Sequence, residues 1–175
     1  MKRWWLLVLA LLVLAGCRPD TLMLNDFETD ADLGRLTWRC RYWLEQTTAF
    51  VTGGEAGLSI EFPTGEYPTL ELREIPADWR GYKWLEADLW APGQAGGELL
   101  IRIDDQGDSE NFADRFTLTV PLTGDPQHVR VPLERVQRGN GGRRLDLGRM
   151  NRILFYLKAS ERRVTWHLDG VRLTR

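Results

Sequence analysis

Four side chains in the stretch Tyr82 to Pro92 are of types that could hold a polar ligand: Trp84, Glu86, Asp88 and Trp90. They alternate with Leu85, Ala87 and Leu89. Strand side chains change face at every residue, so this spacing predicts a half-buried strand with an apolar face and an aromatic-acidic face. Indoles offer flat apolar area and carboxylates accept strong hydrogen bonds, a combination suited to sugars, which present apolar CH faces and a ring of hydroxyls. The same alternation in Glu98 to Asp105 sends Leu99, Ile101 and Ile103 inward and Leu100, Arg102 and Asp104 outward. Arg115 begins the next such run, in which Phe116, Leu118 and Val120 are core positions. Placing these strands side by side gives an expected ligand face of Trp84, Glu86, Asp88, Trp90, Arg102, Asp104 and Arg115. Two other readings fit the same residues: a solvated face held by cross-strand ion pairs, and a docking surface for a protein partner.

Catalysis is not expected. Glu86 and Asp88 would lie roughly 7 Å apart on one strand face, within the ~5–9.5 Å that glycosidase carboxyls require, but on a flat sheet. Adjacent Asp104 and Asp105 point to opposite faces and cannot act as a pair. The chain has two histidines, His128 and His167, and neither belongs to a nucleophile or zinc pattern.

The elements that must position these residues are short alternating runs. They include Leu22 to Glu28, Gly57 to Phe62, Thr69 to Glu74, His128 to Leu133, Asn151 to Leu157 and Val164 to Leu173, separated by Gly, Pro, Asp and Asn turn signals. This pattern predicts an all-β chain, a β-sandwich or jelly roll. Gly93, Gly96 and Gly97 read as a hairpin-like turn after the Trp84 strand. Thr29 to Arg35 reads as a polar loop, and Glu134 to Gly148 as a basic loop or short helix. The arginines around that last segment, Arg135, Arg138, Arg143, Arg144, Arg149 and Arg152, read as a solvated edge or as a contact for anionic lipid headgroups or sugars.

The first residues carry a second message. Met1-Lys2-Arg3 precedes a nearly continuous apolar run, Trp4 to Leu14, too short for a permanent span and typical of a secretory signal. It ends Leu14-Ala15-Gly16-Cys17, which resembles the bacterial lipobox, whose cysteine is acylated after cleavage. The expected organisation is a signal peptide at 1–16, a lipidated tether at 17–21 and one β-sandwich domain at 22–175. Such a chain would be lipid-anchored in the bacterial cell envelope, on the periplasmic or cell-surface side. Cys40 would then have no disulfide partner and reads as a buried thiol. The formal net charge is −2, and losing Lys2 and Arg3 makes the remainder more acidic, so no nucleic-acid footprint is present.

The order of several pieces resembles the galactose-binding-like jelly rolls of carbohydrate-binding modules, above all family 11 and the complex I intermediate-associated protein 30 group. These pieces are Asp26-Phe27-Glu28, Thr52-Gly53-Gly54, Phe62-Pro63-Thr64-Gly65-Glu66-Tyr67-Pro68, Asp78-Trp79-Arg80-Gly81-Tyr82, Ile101-Arg102-Ile103-Asp104-Asp105, Asp114-Arg115-Phe116 and Leu168-Asp169-Gly170-Val171-Arg172-Leu173. The resemblance implies non-catalytic carbohydrate binding. It also implies a structural calcium ion held near the paired chain ends by Glu28 and Asp169, with help from Asp26. Exported relatives often carry a histidine in the gap occupied here by Gln106 to Asn111 and an asparagine where Thr117 stands, so the resemblance does not extend to the identity of the ligand.

Overall fold

The computed structural model describes residues 18–38, 44–106 and 111–175. The leader, Cys17, Cys40 and the loop residues 107–110 lie outside them.

Two antiparallel sheets face each other. In chain order the strands are β1 (Thr21–Asn25), β2 (Leu36–Trp38), β3 (Leu44–Thr47), β4 (Gly57–Phe62), β5 (Gly65–Glu66), β6 (Thr69–Leu72) and β7 (Trp84–Trp90). They continue with β8 (Glu98–Asp105), β9 (Phe116–Pro121), β10 (Gln127–Pro132), β11 (Met150–Tyr156), β12 (Ala159–Ser160) and β13 (Val164–Thr174). The first sheet runs β10-β7-β13-β4-β3, with β1 pairing the C-terminal half of β13 beside β4. The second runs β2-β6-β11-β8-β9, and β5 and β12 form a separate short ribbon. This is the jelly-roll sandwich that the alternation predicts.

The interior is filled by the residues assigned to it. Leu85, Ala87 and Leu89 from β7 are buried, as are Leu99, Ile101 and Ile103 from β8 and Ile153 and Phe155 from β11. Trp166 packs against Phe62 and Phe155 at centroid distances of 5.1 and 5.8 Å.

Two short α-helices and a 3-10 turn at Phe112–Asp114 occupy segments without a strand period. Helix α1 (Asp30–Gly34) replaces the expected loop, because Thr29 and Asp32 form a reciprocal capping box that satisfies its first amides. Helix α2 (Leu133–Arg138) buries Leu133 and Val136 and ends at Gly139, whose φ of 62° lies in the region that favours glycine.

One expectation about neighbours fails. The turn around Gly93 to Gly97 does not fold β7 back onto β8. It carries the chain from the first sheet to the second, and its amides pair with the end of β9 instead: Gly96 N donates to Leu122 O, and Leu122 N to Gly97 O, both at 2.9 Å. Strand β7 therefore lies between β10 and β13, and β8 between β11 and β9.

Candidate functional site

That crossing divides the predicted ligand face. Trp84, Glu86, Asp88 and Trp90 lie on the first sheet, whereas Arg102, Asp104 and Arg115 belong to the second, so the seven residues do not form one surface.

The β7 half is occupied by its own neighbours. Asp88 Oδ2 accepts from Arg172 Nη1 at 2.8 Å and Thr52 Oγ1 at 3.0 Å, and Asp88 Oδ1 lies 2.6 Å from His128 Nδ1. Glu86 takes Arg130 Nε at 3.0 Å and Thr174 Oγ1 at 2.8 Å. A bulge in β13 makes this possible. Asp169 faces Asp88 and Arg172 faces Glu86, and the extra residue is absorbed at Gly170, where φ is 55°. The Arg130 guanidinium lies 3.9 Å from the Trp84 ring centroid. Trp90 stacks on His167 at 5.1 Å, tilts against Phe50 at 6.1 Å, and donates its indole N–H to Gly124 O. Burial pushes the Asp88 pKa up, but hydrogen bonds from Arg172, His128 and Thr52 outweigh it and hold the carboxyl below its ordinary value. Asp88 stays ionised and is no general acid at neutral pH. The cross-strand ion-pair reading describes this face.

The β8 half sits in a groove of about 650 Å³ on the outer face of the second sheet. Outward residues of β6, β11, β8 and β9 form its floor in rows fixed by register. Tyr156 stands opposite Leu100, which faces Thr119, and Leu154 stands opposite Arg102, which faces Thr117. Tyr67 and Phe112 line the groove and are exposed by 51% and 59%, which leaves large apolar faces in contact with water where a ligand could cover them. Tyr67 meets Tyr156 at 6.1 Å. Its φ of 53° is unusual for a bulky residue, and such backbone strain collects at ligand sites.

Beside the floor residues Arg102 and Arg152, on the same face of the sheet, lies a charge network. Asp104, fully buried, accepts Arg102 Nε at 2.9 Å and Arg152 Nε at 2.7 Å. Glu71 holds Arg152 Nη1 at 3.0 Å and Arg73 Nη2 at 3.0 Å. Asp105, on the opposite face as expected, binds Arg143 at 2.5 Å. The basic run is thus dispersed: Arg143 and Arg152 serve buried carboxylates, and Arg149 and Arg144 reach Gln106 and Gln137. The groove aromatics Tyr67, Phe112 and Tyr156 were not among the expected ligand residues. The available signal was Leu154 and Tyr156, apolar residues on the outward phase of a strand whose inward phase is also apolar.

The expected metal residues share a pocket, although among the described residues no three His, Cys, Asp or Glu side chains are grouped closely enough to hold a metal ion. Asp26, Glu28 and Asp169 line one pocket of about 230 Å³ with Thr52 and Arg172. Pairing of β1 with β13 brings Asn25 opposite Val171, and this closes the distance. Both carboxylates then serve the loop at 52–56. Asp169 Oδ2 accepts Thr52 N at 2.6 Å and Gly53 N at 3.1 Å and shares the single Thr52 hydroxyl hydrogen, Oγ1 at 2.9 Å, with Asp88, and Glu28 accepts Glu55 N and Ala56 N. Two backbone amides and the shared Thr52 hydroxyl surround that Asp169 oxygen, and the Arg172 guanidinium shares the pocket. A calcium ion fits only if Asp169 exchanges those donors for the ion.

No family model matches the sequence, and no curated protein matches it. Solved structures do. A family 11 carbohydrate-binding module from Clostridium thermocellum, in complex with a β-1,3-1,4-mixed-linked tetrasaccharide, superposes with a TM-score of 0.64 at 15% identity, covering 88% of this chain and 95% of that one. The chain has the jelly-roll fold of carbohydrate-binding modules. A family 30 module from a cellulosomal cellulase of Clostridium thermocellum matches at TM-score 0.53 and 18% identity over 75% of this chain and 81% of its own. An exo-β-agarase matches at TM-score 0.65 and 19% identity, with this fold covering 87% of the chain but 24% of the enzyme.

Proposed function

We propose that this module binds carbohydrate without transforming it, in the groove of the second sheet. The observation that carries the reading is the pair of exposed aromatics, Tyr67 and Phe112, at a sheet face that also presents arginine and threonine side chains. Aromatic faces stack on sugar CH surfaces, and charged donors hold hydroxyls with hydrogen bonds worth about 1.5–3 kcal/mol each. The fold neighbours support it: one of them holds a tetrasaccharide. The non-catalytic half of the reading is supported by the carboxylates beside the groove, Asp104 and Glu71, which are engaged in arginine pairs. Incubation with glycans should release no new reducing ends.

Titration of purified protein against a glycan panel tests the site. Saturable binding is expected, and the Tyr67→Ala, Tyr156→Ala double variant should weaken it at least tenfold, since ~1.4 kcal/mol corresponds to a factor of ten. Trp84→Ala should leave it within about twofold. The reverse ranking would move the site to the first sheet.

Membrane anchoring through Cys17 belongs to the same proposal. Arg18, the next residue, bonds Asp78 and the Arg80 carbonyl, which would hold the domain close to an anchor. Cys17→Ala should shift the protein from the membrane to the soluble fraction, and unchanged retention would remove the anchor. Calcium is proposed at the Glu28–Asp169 pocket. A bound ion should make the melting temperature fall with a chelator and recover with added calcium. A melt indifferent to both leaves the pocket as the hydrogen-bonded hub described above.

A further inference from the structure

Among the described residues, the charges lining the groove are lopsided. Among the described residues lining it are Arg102, Arg115, Arg152 and Lys158 against one carboxylate, Glu98. Arg102 and Arg152 are held from the side by Asp104 and Glu71. Arg115 differs from them. Among the described residues no carboxylate pairs with it, and its Nε is buried without a hydrogen-bond partner. Buried polar groups are rarely left so, and an unpaired one calls for an explanation. Its side chain meets one ring, and its backbone is held. The guanidinium sits 5.0 Å from the Phe112 ring centroid, and the Arg115 carbonyl accepts Asn140 N at 3.0 Å. Asn140 reaches back to Phe112 O at 3.1 Å and takes Thr117 N at 3.0 Å, so the loop after α2 clamps both members of the pair.

Register fixes the polarity of the groove. Lys158 follows Tyr156, which faces Leu100, and so lies at the Glu98 end. Arg115 precedes Thr117, which faces Arg102, and so lies at the Asp104 end. Six strand residues separate the two levels, roughly 20 Å at ~3.3 Å each. Glu98 can offset Lys158 at its own end. It is too far away to offset Arg115.

We propose that the glycan bound here is anionic, and that one of its acid groups, a carboxylate or a sulfate ester, seats on Arg115 while the same sugar ring lies against Phe112. The inference rests on the carbohydrate-binding reading above. A planar guanidinium recognises either oxyanion through paired N–H donors, and a desolvated pair of this kind is stronger than a neutral hydrogen bond.

Titrations at 50 mM NaCl against polygalacturonate and alginate (carboxylate), chondroitin sulfate and κ-carrageenan (sulfate), and mixed-linkage β-glucan and agarose oligosaccharides (neutral) test it. At least one acidic glycan should bind tenfold or more tighter than every neutral one. Its affinity should fall as salt rises, because the longer-range attraction of the groove's cations for the other acid groups of the chain is screened over ~10 Å at 0.1 M. Arg115→Ala should remove that preference and Arg115→Lys should keep part of it, with Arg130→Ala on the opposite sheet as the control for bulk charge. The carboxylated and sulfated probes separate the two acids. Binding confined to neutral glycans overturns the anionic assignment and keeps the carbohydrate reading. Acidic binding indifferent to Arg115→Ala overturns the subsite. Binding to none of the probes overturns both.

Discussion

Ile101→Asp should abolish the cooperative unfolding transition, whereas Arg102→Ala, one residue further on, should keep it. Ile101 is 2% exposed and faces the interior from the middle of β8. The substitution loses about 2–3 kcal/mol of side-chain burial and forces a carboxyl into the interior without a partner, a further several kcal/mol. The sum approaches the ~5–15 kcal/mol that holds an ordinary domain together. Arg102 lies on the other phase, over the groove. Its truncation removes a charge-assisted hydrogen bond to Asp104, about 1.5–3 kcal/mol, while Arg152 remains on the same carboxylate. Near-ultraviolet circular dichroism and a thermal melt separate the outcomes. Two equally unfolded variants would contradict the face assignment of β8.

Asp104→Ala should be the most damaging change at the groove itself. The residue is fully buried, and its two oxygens hold Arg102 and Arg152, whose side chains are 15% and 17% exposed. Removing one member of a buried ion pair typically costs about 3–5 kcal/mol, because the remaining charge stays where water cannot reach it. Glu71 still holds Arg152, so a loss near the lower end is expected. Asp104→Asn, which keeps an acceptor oxygen, should lose less. A urea titration would show the midpoint falling with the slope unchanged. A loss under about 1 kcal/mol for Asp104→Ala would mean that the carboxylate does not organise the groove floor. Glycan affinity should fall with stability, since Arg102 and Arg152 line the site.

The alternation of β7, β8, β11 and β13 made the core legible, because period two is a local property and each inward residue declares itself. Leu85, Ile101, Phe155 and Trp166 are all buried as their phase requires. Sheet membership is not local. Gly93, Gly96 and Gly97 carry the same turn chemistry whether a strand folds back on its neighbour or crosses to the facing sheet, and here it crosses. That single non-local fact separates Trp84 from Arg102.

Composition misled in a second way. Tryptophan with carboxylates suggested an open sugar platform, but Arg130, His128 and Arg172 arrive from β10 and β13 to fill it. The partners of a charged strand face lie on strands distant in sequence, and only the register reveals them. The groove aromatics were hidden for the converse reason: Tyr67 and Phe112 come from connections outside the sheet ladder, where no period marks a side chain as outward.

We place sugar binding on the second sheet and not on the first. The most direct measurement is a titration of isotopically labelled protein with the tightest-binding oligosaccharide, following backbone amide shifts by NMR. The largest perturbations should cluster at Leu100, Arg102, Thr117, Leu154 and Tyr156, with Trp84, Asp88 and Arg172 unmoved. Perturbations centred on β7 and β13, with the groove silent, would contradict that placement.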